Sequence, residues 1–318
     1  MRALKLNQGT LQYHPDFAMP EAAEGEALVR VHYAGICGTD QQLLNGYYEF
    51  DGIPGHEFVG EVISASNNDL IGKRIVAEIN IACLHCEQCQ LGLFSHCQNR
   101  QVIGIKNHDG VFAEYVSIPE RNLHILPDEI SDLEAVLIEP LAAALHILDQ
   151  YTITRESRIL LIGAGKLGQL IAHVIQHDCP SLTVLARQEQ VQRLKQQGIH
   201  AIFNPEQADF NYDLVIEATG SPSGFQQAIQ QVKPKGSIIL KSTYAQNLQL
   251  NMTRIVVDEI TIIGSRCGDF ATSIRWLLDN KNALEGVVSE IYPLREFQQA
   301  FARNQQPDTF KIVFDLSA

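Results

Sequence analysis

The chain has 318 residues, of which 45% are hydrophobic and 19% are charged, and its formal net charge at pH 7 is -13. This composition is typical of a folded protein of about two domains, and it excludes the disordered and fibrous classes. The negative charge disfavours nucleic acid and acidic membranes as partners.

The N-terminal segment, MRALKLNQGTLQYHP, lacks the charged head, apolar run and small-residue cleavage site of a secretory signal. No apolar run in the sequence approaches the roughly 18 residues that a membrane-spanning helix needs. We therefore expect a cytoplasmic protein whose cysteines are reduced. In such a protein, clustered cysteines bind metal more often than they form disulfides.

Two short motifs near the N-terminus offer metal ligands. The segment GICGTD at residues 35–40 contains Cys37, and GIPGHEFVGEV at residues 52–62 contains His56 followed by Glu57. Either motif alone is a weak signal, because an isolated cysteine is more often a small buried apolar residue. An isolated histidine is likewise more often an ordinary hydrogen-bonded polar residue.

A run of four cysteines follows, in CLHCEQCQLGLFSHC at residues 83–97. The spacing C-x2-C-x2-C-x7-C allows four thiolates to turn toward one centre, and a complete tetrahedral cysteine shell forms a closed structural zinc site. Iron–sulfur clusters are also bound by four cysteines, although the usual ferredoxin spacing differs. Two histidines inside the run are interpreted as exposed loop residues, because the shell is complete without them: His85 and His96. The predicted structural-zinc ligands are Cys83, Cys86, Cys89 and Cys97.

Glu139 lies in the apolar run AVLIEPLAAALH, where an unpaired carboxylate would be costly. Together with Cys37 and His56 it would supply three dispersed ligands and leave one coordination position open. That composition is typical of a catalytic zinc site. The sequence therefore predicts two zinc ions per chain, held by two different kinds of site.

A glycine-rich turn follows in SRILLIGAGKLG, residues 157–168. A short apolar strand leads directly into G-x-G-x-x-G, and an apolar helical pattern comes next, which is the context that makes this motif informative. Gly163 allows the tight turn, Gly165 lets the backbone approach a pyrophosphate, and Gly168 allows close helix packing. With Lys166 and Leu167, these glycines are predicted to bind a dinucleotide at the helix N-terminus.

More apolar strands follow and alternate with helical segments, the strands at 182–186, 213–220, 236–242 and 259–265 and the helices at 188–198 and 223–232. This alternation predicts a doubly wound parallel sheet in an α/β fold. Thr219, near the end of one of these strands, is a further candidate for cofactor binding.

Arg187 indicates which cofactor the sheet binds. Folds specific for NAD usually place an acidic residue about 20 residues after the glycine turn, where it bonds the ribose 2′-hydroxyl. Here the strand ends in Ala186 and Arg187, and the first acidic residue is Glu189. An arginine can pair with a 2′-phosphate, so NADP is favoured over NAD. A solvated arginine beside a strand end remains the alternative interpretation.

Taken together, GICGTD, PGHEFVGEV, the cysteine run, IEPLAAALH and GAGKLG resemble the zinc-dependent medium-chain dehydrogenase/reductase family over nearly the whole chain. The sequence is closest to its polyol and threonine dehydrogenase branches. The resemblance implies a GroES-like, β-rich catalytic domain over residues 1–140 that carries the zinc lobe at 83–97. A Rossmann domain over 141–268 and a C-terminal return to the catalytic domain over 269–318 would follow.

The resemblance also implies roles for individual residues. Cys37, His56 and Glu139 match the catalytic zinc ligands, the glutamate being the ligand of polyol dehydrogenases. Glu57 matches the carboxylate beside the ligand histidine, and Asp40 matches the carboxylate that receives the second N–H of that histidine. Thr39 matches the residue whose hydroxyl hydrogen-bonds the substrate alcohol.

One position departs from the family pattern. Many relatives have a histidine five residues after the first zinc ligand, and it passes the alcohol proton to solvent. This chain has Gln42 there, and an amide does not titrate near neutral pH. The proton would then leave through Thr39, a cofactor ribose hydroxyl and water, or through another base.

The sequence thus predicts a zinc-dependent oxidoreductase that transfers hydride between NAD(P) and a polar secondary alcohol, polyol, sugar or hydroxy amino acid. Tyr47 and Tyr48 are candidates for substrate contact, or they are ordinary packing residues. The alternatives are a homologue that keeps the fold as a binding protein, and a zinc-thiolate interaction module. A homodimer or homotetramer is expected, with a small-molecule substrate and no nucleic-acid or membrane partner.

Overall fold

The computed structural model describes residues 1–46, 49–243, 250 and 252–317. The two tyrosines considered above for substrate contact, Tyr47 and Tyr48, lie outside the described residues. In the described part of the chain, no helix has both the length and the apolar character needed to cross a bilayer.

The strands, in chain order, are β1 Ala3–Asn7, β2 Thr10–His14, β3 Glu26–Gly35, β4 Glu57–Ser64, β5 Arg74–Ala77, β6 Asn80–Ile81, β7 Gln101–Val102, β8 Tyr115–Pro119, β9 Leu123–Ile125, β10 Ile159–Ile162, β11 Leu182–Leu185, β12 Ala201–Ile202, β13 Tyr212–Glu217, β14 Val232–Leu240, β15 Thr261–Gly264, β16 Val288–Pro293 and β17 Lys311–Asp315.

The α-helices are α1 Gly38–Leu44, α2 Glu87–Gln90, α3 Asp132–Ala135, α4 Ile138–Gln150, α5 Lys166–Asp178, α6 Gln188–Gln196, α7 Pro222–Gln231, α8 Thr253–Val257, α9 Phe270–Asp279 and α10 Phe297–Asn304. Contacts divide the chain into two compact units. Unit 1 comprises residues 1–139 and 269–318, and unit 2 comprises residues 140–268.

Unit 1 is built on a seven-stranded sheet in the order β16-β17-β3-β4-β5-β9, with β8 also paired to β3. Every pair in it is antiparallel except β16 with β17. The long strand β3 alternates buried and more exposed residues, so its apolar side chains face one core. In that core, Phe112 packs edge-to-face against Phe314, with ring centroids 5.1 Å apart.

The register of β3 and β4 positions the first predicted motif pair. Gly35, the last residue of β3, lies opposite Glu57, the first residue of β4. Cys37 therefore follows the end of one strand and His56 precedes the start of its antiparallel neighbour. Two motifs separated by about twenty residues in sequence are brought to the same end of the ladder.

Unit 2 is a six-stranded sheet in the order β12-β11-β10-β13-β14-β15, and all five pairs are parallel. Helices connect the parallel pairs β10–β11, β11–β12, β13–β14 and β14–β15, as parallel pairing requires. The central strand β10 is buried throughout, which explains its uninterrupted apolar sequence. The predicted doubly wound α/β sheet is thus confirmed. Its strand order reverses between β10 and β13, the position at which such sheets bind ligands.

Some strand boundaries differ from those predicted. The strand predicted at 236–242 begins at Val232 and ends at Leu240, so it takes the last residue assigned to the preceding helix. The strand predicted at 213–220 ends at Glu217, because the chain turns at Gly220, whose φ is +71°. The short strand β12 was not predicted, since two buried residues carry too little periodicity to be recognised.

Candidate active site and nucleotide site

Cys37, His56 and Glu57 form one cluster in unit 1, and their potential ligand atoms all lie within 4.8 Å of one another. Cys37 is the N-cap residue of α1. His56 and Glu57 are buried, being 3% and 0% exposed. A thiol, an imidazole and a carboxylate converging in the interior form a donor set that suits zinc.

Asp40 links two members of this cluster. It lies in the first turn of α1 and is buried, and its Oδ2 accepts a hydrogen bond of 2.7 Å from the backbone N–H of Cys37. Its Oδ1 lies 3.4 Å from Nδ1 of His56. Burial lowers the pKa of His56, but the negative charge of Asp40 outweighs it and raises that pKa well above its usual value. A bond from Nδ1 to Asp40 would leave Nε2 for a metal.

Unsatisfied polar atoms mark this cluster as a ligand site. Glu57 Oε1 is buried without a hydrogen-bond partner among the described atoms, whereas Asp40 Oδ1 and His56 Nδ1, which make no well-aligned hydrogen bond, lie 3.4 Å from each other. A buried polar atom that bonds nothing is costly, and a ligand at this cluster would satisfy the Glu57 oxygen. The residues present therefore fit a bound zinc ion.

Three further residues considered for this site lie on α1 and α4. Thr39 Oγ1 lies 3.9 Å from Cys37 Sγ, as expected for a side chain at the cluster. Glu139 lies in the first turn of α4, half-buried, and it is not one of the three residues that the cluster brings together. Gln42 is half-buried on α1.

Lys311 is a residue of this site that the sequence reasoning missed. It is the first residue of β17, 3% exposed, and its ammonium group donates a hydrogen bond to Oε2 of Glu57. Burial lowers the pKa of Lys311, but the negative charges of Glu57 and Cys37 raise it above its ordinary value. The available signal was a lysine in the apolar stretch TFKIVF, where only a paired charge is tolerated.

The four cysteines of residues 83–97 form the second cluster, and their sulfurs also lie within 4.8 Å of one another. The Sγ atoms of Cys86 and Cys89 are 3.5 Å apart, and those of Cys86 and Cys97 are 3.8 Å apart, far beyond a disulfide bond. All are free thiols. Their convergence fits the closed tetrahedral zinc site predicted from the spacing. His85 and His96 are exposed, as expected.

The thiols of this lobe are electrostatically unequal. Backbone N–H groups, first that of His85, hold the pKa of Cys83 at about 5. Burial, together with the neighbouring sulfurs of Cys86 and Cys97, raises the pKa of Cys89 to about 12. Four thiolates this close together repel one another, and a bound cation would stabilise them.

The glycine turn of unit 2 connects β10 to α5. Gly163 has a φ of +100°, and a Cβ there would lie 2.8 Å from the carbonyl oxygen of Ala218. A Cβ on Gly168 would lie 2.0 Å from the carbonyl oxygen of Gly163, so both positions require glycine. A Cβ on Gly165, the N-cap of α5, would meet nothing within 4 Å. That open space at a helix N-terminus fits a diphosphate.

The other predicted cofactor residues surround this turn. Lys166 and Leu167 open α5, and Arg187 is the exposed N-cap of α6, directly beyond β11. Thr219 follows β13, and its backbone N–H and hydroxyl both donate hydrogen bonds to Oε1 of the buried Glu217. A Cβ on Gly163 would lie 3.0 Å from Cγ2 of Thr219, which places this threonine beside the turn.

Two family models match the chain. The alcohol dehydrogenase GroES-like domain matches residues 23–128, and the zinc-binding dehydrogenase model matches residues 170–281. Among curated proteins, D-arabinitol dehydrogenase 1 of Uromyces fabae is 29% identical to this chain, covering 93% of this chain and 91% of the relative.

Two solved structures share the fold over the whole chain. A zinc-binding dehydrogenase from Sinorhizobium meliloti 1021, bound to NADP, is 26% identical with a TM-score of 0.89, covering 99% of this chain and 98% of its own. An alcohol dehydrogenase from Escherichia coli CFT073, complexed with NADH, is 25% identical with a TM-score of 0.90, covering 99% of both chains. The chain belongs to the zinc-dependent medium-chain dehydrogenase/reductase family of alcohol dehydrogenases.

Proposed function

We propose that this protein is an NAD(P)-dependent alcohol dehydrogenase that acts on a polar secondary alcohol such as a polyol, sugar or hydroxy amino acid. The observation that carries the proposal is the cluster of Cys37, His56 and Glu57, in which His56 and Glu57 are buried and one Glu57 oxygen is unsatisfied, in a chain that also contains an open glycine turn. The sugar-alcohol dehydrogenase among its relatives supports the substrate class.

Cys37, His56 and Glu139 would hold the catalytic zinc, with Glu57 able to approach it in exchange. When bound, zinc supplies a Lewis acid for the substrate oxygen. Asp40 orients His56 through the ring nitrogen Nδ1 and fixes the backbone of Cys37. The ammonium group of Lys311 balances the charge of the Glu57 carboxylate, so that this carboxylate is not an uncompensated negative charge beside the zinc ligands.

The chain's own residues would handle the proton of the substrate hydroxyl. Because Thr39 lies beside Cys37, its Oγ1 would accept a hydrogen bond from the substrate hydroxyl and pass the proton outward. The half-buried amide of Gln42 cannot take it up. From Thr39 the proton would leave toward solvent or to another base, and a bound nicotinamide cofactor would supply the hydride acceptor.

Cys83, Cys86, Cys89 and Cys97 would hold a second zinc ion that has no open coordination position. This ion would stabilise the lobe rather than take part in the reaction. The arrangement of free, converging thiols supports that role.

The cofactor is a nicotinamide nucleotide, and we propose that it is NADP in preference to NAD. Arg187 follows β11 at the position where NAD-specific folds carry an acid, and its side chain is exposed. A guanidinium group there can bond a 2′-phosphate bidentately. Gly163, Gly165 and Gly168 would bind the diphosphate.

We also propose that the boundaries between the GroES-like and Rossmann domains lie near residues 140 and 268 of the sequence, and that the protein forms a homodimer or homotetramer. The division of contacts supports these boundaries. β15 is the last strand of its sheet, and Val256, Val257 and Ile262 are exposed on and beside it. An apolar edge strand of this kind supports self-association, which light scattering would detect.

A direct test uses the purified protein with a panel of secondary alcohols, sugar alcohols and hydroxy amino acids. Reduction of NAD and of NADP is followed by absorbance, with Cys37→Ala as the control. We expect turnover of at least one polyol or hydroxy amino acid by the wild-type protein and none by the control. Binding of these compounds without any cofactor reduction would instead identify a binding protein.

A further inference from the structure

Gln190 joins two parts of the nucleotide site that are far apart in sequence. It lies in the first turn of α6, and its side-chain Oε1 accepts a hydrogen bond of 3.2 Å from the backbone N–H of Arg187. Its Nε2 donates a hydrogen bond of 2.9 Å to the carbonyl oxygen of Ala164. Ala164 lies within the glycine turn, between Gly163 and Gly165.

The same carbonyl oxygen is fixed from a second direction. Gln169, on α5 and 4% exposed, donates a hydrogen bond of 2.9 Å from its Nε2 to Ala164. The backbone adds one further link, because the N–H of Gly163 donates to the carbonyl oxygen of Leu185 at the end of β11. The glycine turn is therefore attached to the end of β11 by a backbone hydrogen bond and to the start of α6 by the side chain of Gln190.

These contacts hold the two phosphate subsites in a defined relation. The diphosphate subsite is at Gly165, and the subsite for the 2′-substituent of the ribose is at Arg187. Both bonds of Gln190 use an amide, which is uncharged and both donates and accepts, so no residue of a single hydrogen-bonding kind would make both. A glycine-containing turn has little conformational restriction of its own, and external bonds are needed to preorganise it.

We propose that Gln190 is a positioning residue for the nicotinamide cofactor: it sets the distance between the diphosphate-binding turn and the ribose-recognition segment through simultaneous hydrogen bonds to Ala164 and Arg187. The inference rests on the proposed function, since it assumes that the turn binds NAD(P). Gln190 acts on affinity for the adenosine half of the cofactor, whose binding precedes chemistry, and not on the hydride-transfer step.

The test compares Gln190→Met, Gln190→Glu and Gln192→Met with the wild-type protein. Methionine keeps the length of glutamine and removes both bonds. Glutamate keeps the acceptor for Arg187 but cannot donate to Ala164, and it places a negative charge beside the diphosphate. Gln192 is exposed on the same helix and provides a matched control. Dissociation constants for NADPH and NADH are measured by fluorescence titration, together with kcat at saturating cofactor and the thermal unfolding temperature.

We expect Gln190→Met to weaken the binding of both nucleotides about tenfold, the loss typical of one to two hydrogen bonds. Gln190→Glu should weaken both further because of charge repulsion. In both variants kcat at saturation should be unchanged, and Gln192→Met should bind as the wild-type protein does. A purely structural role would instead lower affinity, kcat and the unfolding temperature together.

Three results would overturn the inference and leave the proposed function in place. Wild-type affinity in Gln190→Met would show that the bridge positions nothing. A parallel loss of affinity, kcat and unfolding temperature in both Gln190 variants would reduce its role to folding. An equal loss in Gln192→Met would show that the effect is not specific. A wild-type protein that binds neither nucleotide would overturn the proposed function together with this inference, and is therefore distinguishable.

Discussion

The ammonium group of Lys311 donates a hydrogen bond to the carboxylate of Glu57 in the interior of unit 1, although 254 residues separate the two in sequence. Lys311 also lies 3.4 Å from the carbonyl oxygen of Ile36, the residue before Cys37. A buried pair of this kind stabilises little by itself, but removal of one partner leaves an uncompensated charge.

Substitution of Lys311 by methionine should therefore lower the free energy of unfolding by about 3–5 kcal/mol. Adding Glu57→Gln should recover part of the loss, because the orphaned charge is then removed. Urea unfolding of the purified protein measures both effects, and Lys73→Met, at an exposed position, serves as the control. A double variant no more stable than Lys311→Met would show that charge pairing is not the cause.

Metal content provides the second prediction. Elemental analysis of protein purified without chelator should give about two zinc ions per chain, one for each cluster. Cys89→Ser should lose one ion and unfold at lower temperature, whereas Cys37→Ala should lose one ion, keep its fold and lose turnover. A wild-type content of one zinc together with an active Cys37→Ala variant would remove the catalytic assignment.

Gln42 provides the third prediction. Gln42→His introduces an ionisable group on α1, three residues after Thr39. If proton release limits the reaction, kcat should rise or its pH profile should shift toward lower pH. Steady-state measurements across neutral pH check this, with Gln42→Asn as the non-ionising control. An unchanged profile would mean that the proton leaves by another route.

Arg187 provides the fourth prediction. Arg187→Asp should raise the Michaelis constant for NADP about 10- to 100-fold, which corresponds to the loss of charge-assisted hydrogen bonds. The Michaelis constant for NAD should change much less or fall. Lys195→Asp, which makes the same charge change at an exposed position of α6, is the control. Equal effects on both cofactors, or a wild-type preference for NAD, would contradict the NADP assignment.

Acid stability provides the fifth prediction. Burial raises the pKa of Glu114, but hydrogen bonds and charge from Arg2 lower it below its ordinary value. Because the folded-state pKa is depressed, the stabilisation is present above the unfolded-state pKa and disappears as pH falls through the folded-state value. Glu114→Gln should therefore lower the free energy of unfolding by about 1 kcal/mol at pH 7. The effect is small because the Arg2–Glu114 ion pair is partly exposed.

Denaturant unfolding at a series of pH values measures that difference. The wild-type protein and Glu114→Gln should become equally stable at low pH, where Glu114 is protonated. A difference that is independent of pH would assign the effect to packing instead.

The parts of the site that the sequence predicted are those encoded by local spacing. Four cysteines within fifteen residues can reach one centre without any knowledge of the fold, and the glycine turn specifies its own backbone conformation. The doubly wound sheet was also predictable, because the buried strands β10, β11 and β13 are each followed by an amphipathic helix.

The contacts that were missed are set by strand register and by long-range pairing. Lys311 meets Glu57 because β17 and β4 both lie beside β3, and no local pattern indicates that arrangement. Gln190 was overlooked for a similar reason, since an amide in a polar helix has no distinctive sequence signal. Its function becomes visible only when Ala164 is brought to within 2.9 Å.

The path of the chain through unit 2 has a consequence for how such proteins diversify. The chain enters this unit at Pro140 and leaves it at Gly268. A Cβ on Gly268 would lie 2.0 Å from the carbonyl oxygen of Ala142, so the incoming and outgoing segments touch. A continuous module whose two ends are adjacent can be replaced at a single pair of neighbouring junctions, with little cost in chain entropy. Recombination at these junctions would exchange unit 2, and with it the proposed choice of redox carrier, while unit 1 keeps its own strand connections.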